Sequence, residues 1–350
     1  PVEYTDLEFS MLNGSGNVKF GPGKLTSNQS ASTSQLTIAD HSPSAAASSN
    51  GKIGLAWIRD IDDDQGKTTN VFFAIFDEDD MLAPSVGPIN VTKNAGYTGD
   101  NDVPEFFSAR ISITTENRFV ITWSDERKQG DLVEENIGFA SYNLSGARIR
   151  YLQKLPGLNS TPGGTRYSNP HVVGIMGNQV FLSFERDTGT YETGYLVLES
   201  NGDHAKGPLY VPGQGKDPAA IQFLNGPILL AWQNPEGSKS TQQVTYVTLN
   251  QNTYNIATGP DELTIPFGME ISADDLSVSQ DEYGNAVLTW IDSDIEQNIY
   301  YALVKSDGKV VTPPIQIFDS QGKILSVSTV GASNALYLGK SRVFLPTMMR

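Results

Sequence analysis

Residues 118–144 read RFVITWSDERKQGDLVEENIGFASYNL, and the same layout recurs along the chain. An apolar strand ends at Trp123, a polar loop follows, and a second strand alternates from Ile137 to Leu144. The first part has four other copies: KIGLAW ending at Trp57, QVFLSF at Phe184, PILLAW at Trp232 and AVLTW at Trp290. Successive anchors lie 66, 61, 48 and 58 residues apart. The partner strand returns as NVFFAIF, TGYLVL, QVTYVTL and NIYYALV.

Outward from this pair, each copy gains two more strands. A strand of small residues precedes the anchor: SAAASS, SARISI, PHVVGI, PAAIQF and DLSVSQ. Tight turns such as SNGK, MGNQ and LNGP join it to the anchor strand, with Asn and Gly supplying the positive φ of short hairpins. On the other side ESNGD or KSDGK leads into a looser last strand. Four antiparallel strands per repeat, at a period slightly above the roughly 40–50 residues of a propeller blade, predict an all-β propeller of four-stranded antiparallel blades. Five blades are complete. The tail offers LSVSTV and SRVFLPT, and the beginning offers YTDLEFSML and NVKFGPGKLT, so a sixth blade is expected from the N- and C-termini together. Such closure would cover open strand edges. Six blades in a single domain, 1–350, is the expectation, with seven blades second and an open β-sandwich also compatible. No segment sustains helical periodicity.

The block WSDER at 123–127 followed by NIGFASYNLSG at 136–146 resembles the repeats of bacterial extracellular β-propeller proteins, which run Trp-x-Asp-x-Arg, a loop, Ile-Tyr-Ala, then Asp-Gly. WIDSD with NIYYALVKSDGK matches well, WIRD with NVFFAIFDEDD fairly, and FERD and WQNP less. The resemblance covers about four fifths of the chain. It implies the fold and a secreted or cell-surface setting, and it carries no defined chemistry.

Composition narrows the function classes. The formal charge of −16 and the absence of any basic cluster argue against nucleic acid and against an anionic membrane surface. No run of 18 apolar residues occurs, so membrane insertion is not expected. With no cysteine, disulfides, thiolate metal sites and cysteine nucleophiles are excluded. Sequons at Asn13, Asn28, Asn90, Asn143 and Asn159 would suit a glycoprotein.

Candidate site residues follow from the loops. Those after the anchor strands are acidic and share one face: Asp60 to Asp64, Asp125 to Glu135, Glu185 to Glu192, and Asp292 to Glu296. Asp60, Asp62 and Asp64 stand at alternate positions, as hard oxygens do in calcium loops, so Ca²⁺ is the candidate cofactor. The long inter-blade loops bring Tyr97, Asp102, Arg166 and Tyr167, aromatic and planar polar groups of the kind that hold a sugar. His41 and His171 look equivalent in the first and third blades. The nucleophile-elbow, phosphate-loop and zinc-protease motifs are absent. The expectation is therefore a non-catalytic extracellular or cell-surface propeller that binds a glycan or protein, or self-assembles. The alternative is a polysaccharide-active enzyme, hydrolase or lyase, using carboxylates at the channel mouth.

Overall fold

Each apolar block between turns forms a strand, and each tight turn fixes which strands pair. The structure is a computed structural model and describes residues 5–12, 18–28, 36–63, 66–81, 83–93, 104–224, 226–234, 243–263, 273–281, 283–292, 299–317 and 344–345. After β1 (Glu8–Leu12) and β2 (Val18–Lys24), the first blade comprises β3 (Thr37–Ala47), β4 (Lys52–Asp63), β5 (Gly66–Asp77) and β6 (Val86–Asn90). The second comprises β7 (Glu105–Ile113), β8 (Phe119–Gln129), β9 (Leu132–Tyr142) and β10 (Arg148–Leu152). The third is β11 (Arg166–Ile175), β12 (Gln179–Asp187), β13 (Tyr191–Glu199) and β14 (His204–Tyr210). The fourth is β15 (Lys216–Gln222), β16 (Ile228–Asn234), β17 (Gln243–Leu249) and β18 (Ile256–Leu263). The fifth is β19 (Ala273–Gln280), β20 (Ala286–Asp292), β21 (Ile299–Val304) and β22 (Val310–Gln316).

These five sheets pair in sequence order, and the sixth joins the two ends of the chain. β23 (Phe344–Leu345) lies antiparallel to β1, with Ser10 opposite Leu345 and Met11 opposite Phe344, giving the order β2-β1-β23. The expected sharing of one blade by both termini is thus present. The segment LSVSTV, expected as its first strand, lies outside the described residues. The fold is a β-propeller, and no helix occurs among the described residues.

The core lies between blades, and this explains the anchors. Trp57, Trp123, Phe184, Trp232 and Trp290 are all buried. One cluster joins Ala56, Ile58 and Phe73 of the first blade to Phe106, Phe119 and Trp123 of the second. Another joins Phe181 and Tyr195 of the third to Leu230 and Trp232 of the fourth. Leu7 and Phe9 pack on Trp57 and so fasten the sixth blade to the first. The anchor ring needs room across its own ladder. Gly138 stands opposite Trp123, where a β-carbon would run into the indole. Consecutive first strands contact one another, β3 on β7, β7 on β11, β11 on β15 and β15 on β19, so they line the axis. Outermost strands carry Gly-Pro at 21–22, 87–88, 207–208 and 259–260, where a residue without an N–H leaves the edge a poor template for further pairing.

Candidate active site at the channel mouth

The ladder of every complete first strand slips once. The shifts fall between His41 and Ser44, Phe107 and Arg110, Ser168 and His171, Lys216 and Ala219, and Asp274 and Ser277. At these bulges Ser42, Ser108, Asn169 and Asp217 adopt left-handed backbone, with φ of 52°, 52°, 48° and 45°. Short polar residues are suited to that conformation. A proline follows at 43, 170 and 218, lacking a donor where the ladder is broken. Bulges re-aim side chains, and their repetition around the axis sets polar groups side by side.

The result is a hydrogen-bonded chain across three blades. Ser108 Oγ donates to Asn169 Oδ1 at 2.9 Å, and Asn169 Nδ2 donates to Asp217 Oδ1 at 2.9 Å and Glu185 Oε2 at 3.3 Å. The Asp217 backbone N–H also donates to Glu185 Oε2 at 3.3 Å, and Asn169 N donates to Ser124 Oγ at 3.1 Å. Glu185 and Asp217 therefore share one amide, with those oxygens no more than about 6 Å apart.

Behind this chain the carboxyl groups are buried, contrary to the solvated acidic face that the loops suggest. Glu185 is 6% exposed, and burial together with the charge of Asp217 raises its pKa. Glu135 stands opposite Glu126 across the β8–β9 ladder. Burial first, then the Glu126 charge, push it up to about 7, although Arg166 pulls it down and Ser168 hydrogen-bonds it. A carboxylic acid that keeps its proton near neutrality can donate it. Asp125, fully buried, is raised by burial against the opposing pull of Arg127, whose guanidinium holds both its oxygens at 3.2 and 3.3 Å.

Arg166 begins β11 at the rim of a cleft between the second and third blades. Its guanidinium donates to Asp187 Oδ2, while Gly189 N donates to Asp187 Oδ1 at 2.8 Å. Tyr167 is a correction. It is 5% exposed and packs edge-to-face on Phe184 with ring centroids 5.7 Å apart, so its face is taken by the core. Successive strand residues point to opposite faces, which sends Arg166 to the cleft and Tyr167 inward. Tyr97 and Asp102 lie outside the described residues.

The candidate calcium loop lies on a β-hairpin, where Asp62 pairs with Lys67 and Asp63 with Gly66. Asp60 is engaged by Lys67 Nζ at 2.8 Å, His41 Nε2 at 3.5 Å and Thr69 Oγ1 at 3.0 Å. Burial pushes its carboxyl up, but the His41 and Lys67 contacts outweigh burial and hold it at about 2. Asp64 lies outside the described residues, and among those described no three His, Cys, Asp or Glu side chains gather to hold a metal. His41 and His171 are not equivalent. The first precedes its bulge and its Nδ1 is hydrogen-bonded with Ser42 Oγ at 3.0 Å, while the second follows its bulge and its Nδ1 accepts from Ala220 N at 3.3 Å. Of the sequons, Asn28 is buried, donating to Asp40 Oδ2 at 2.7 Å and to Thr5 O at 2.8 Å, which leaves no room for a glycan.

No family model matches the chain, and no curated protein matches it by sequence. Solved structures do match. A protein of unknown function from Dyadobacter fermentans aligns with TM-score 0.57 and 8% identity, over 81% of this chain and 86% of the other. An α-L-arabinanase of Penicillium chrysogenum, complexed with arabinobiose, aligns with TM-score 0.52 and 12% identity over 100% and 98%. An ulvan lyase bound to a sulfated disaccharide repeat aligns with TM-score 0.52 and 11% identity over 77% and 65%. These likenesses establish the fold. The expectation of a non-catalytic module is corrected at this point. The neighbours with a stated activity act on polysaccharides.

Proposed function

We propose that the chain is a polysaccharide-cleaving enzyme of the extracellular space, working as a glycoside hydrolase at the channel mouth. The observation that carries the reading is the buried acid cluster, in which Glu135 stands opposite Glu126 and feels the charge of Glu185, the residue that anchors the Asn169–Asp217 hydrogen bonds on the bulged first strands. In this reading Glu135 gives its proton to the glycosidic oxygen as the bond to the anomeric carbon breaks. Asp217, half-buried on β15 and reachable by water, takes a proton from the water whose oxygen adds to that carbon. Asn169 holds Asp217 in place, and Glu185 beneath keeps it from turning away. The repeat resemblance and a polymeric substrate both suit a secreted or surface location.

Reducing-end release from a panel of polysaccharides tests this. Wild type is expected to release ends from at least one polymer, and Glu135→Gln and Asp217→Asn each to lose about 10²-fold or more of that rate. No release by wild type from any polymer, or undiminished rates in both variants, would overturn the proposal.

A further inference from the structure

The cleft beside the acid cluster tells something about the sugar it would receive. Its volume is about 590 Å³, within the roughly 300–1,000 Å³ of ligand sites. Asp131 closes one side, Gly164, Thr165 and Arg166 form the wall from the inter-blade loop, and Asp187 and Thr188 form the other. Arg166 is the one cation among the described lining residues, and Asp187 already holds it. Asp131 and Asp187 against Arg166 leave the lining with a net negative charge. Behind Arg166, Glu135 feels the charges of Glu126 and Glu185, on a protein of charge −16.

An anionic sugar entering this cleft would meet carboxylates and find its only counter-ion engaged. Each like-charge approach at contact distance is repulsive and weakens binding. Breaking a uronate chain by elimination also requires a cation to neutralise the sugar's carboxylate before its neighbouring C–H can be deprotonated. A neutral sugar meets no such obstacle. Its hydroxyls donate and accept, and the Arg166–Asp187 pair presents donors and acceptors side by side on a rigid base, since Gly189 N pins Asp187 from behind. Arg166 is also within electrostatic reach of Glu135.

We infer that this cleft is a subsite for a neutral sugar unit of the polysaccharide chain, and that polyuronates and sulfated glycans are excluded from it. The inference rests on the hydrolase reading for the identity of the polymer, but its test does not depend on turnover. Calorimetric titrations use Glu135→Gln, which leaves the oligosaccharide intact, with hexasaccharides of α-1,5-arabinose, β-1,4-xylose and α-1,4-galacturonate. At least one neutral hexasaccharide should bind, and the galacturonate should bind about tenfold or more weaker than the best of them. Filling the cleft with Thr188→Trp, at an exposed turn position, or with Thr165→Trp should weaken the neutral ligand by about tenfold, the scale of losing one pocket contact. Galacturonate binding as tightly as the neutral chains, no binding of any neutral chain, or unchanged affinity in both filled variants would each overturn the inference. Neutral binding of the expected pattern, with wild type releasing no reducing ends, would support the subsite and remove the hydrolase.

Discussion

Replacing Glu135 by Gln should make the protein more stable, by a margin that opens above about pH 4.5 and is complete above about pH 7. The ordinary value of a glutamate carboxyl is 4.5, and burial with the facing Glu126 pushes Glu135 up to about 7. At about 1.4 kcal/mol per pH unit, the difference amounts to about 3 kcal/mol. Its sign follows from which state binds the proton. Below pH 4.5 the folded and unfolded chains both carry it. Between 4.5 and 7 the unfolded chain releases it and the folded chain keeps it, so stability falls as pH rises; above 7 the full loss has accrued. Glutamine cannot ionise and escapes this loss. Wild type and Glu135→Gln should therefore melt together at pH 4, and the variant should melt higher by up to about 4 °C at pH 8, given the unfolding entropy of a chain this long. Thermal melts of both proteins across that range are the assay. A gap independent of pH, or a wild type that gains on the variant above pH 7, would refute the protonated, buried acid on which the proposed chemistry depends.

Two further outcomes follow from other parts of the ring. Asp60, held at about 2 by His41 and Lys67, adds stability that is complete above pH 3.8 and is lost as pH falls through 2. Asp60→Asn should cost about 2 kcal/mol in denaturant titrations at pH 7, and a neutral result would remove the ion cluster from the account. Gly138→Ala places a methyl against the Trp123 indole and should cost about 1–3 kcal/mol by overpacking, read as a lower urea midpoint. An unchanged midpoint would mean that the anchor ring does not lie flat on its neighbour strand.

The ring was legible because each blade repeats its own local instructions. Asn and Gly in the short turns, and one large aromatic per anchor strand, signal within a few residues of one another what they will form. The site was not legible in that way. Asn169 and Asp217 look like any polar residue before a proline, and only the ladder slip turns them toward each other from different blades. Glu135 stood in a run of acids, and nothing local distinguishes it from Glu134. Its neighbour bonds Lys154 at 2.5 Å, while Glu135 is buried opposite Glu126. Arg166 lines the cleft while Tyr167, one residue on, is taken into the core, because adjacent strand residues point to opposite faces. Alternate aspartates are as natural on a β-hairpin as in a metal loop, so Asp60 and Asp62 carry no local signal that separates the two.

The seam of the sixth blade has a mechanical consequence. β1 and β23 run antiparallel, with Ser10 beside Leu345 and Met11 beside Phe344, so the chain enters and leaves the seam at the same end of the ladder. Tension applied at Glu8 and Leu345 would load the rungs one after another, as in a zipper, instead of shearing them together. Held by both ends, this ring would part at its clasp while the five other blades kept every one of their own hydrogen bonds.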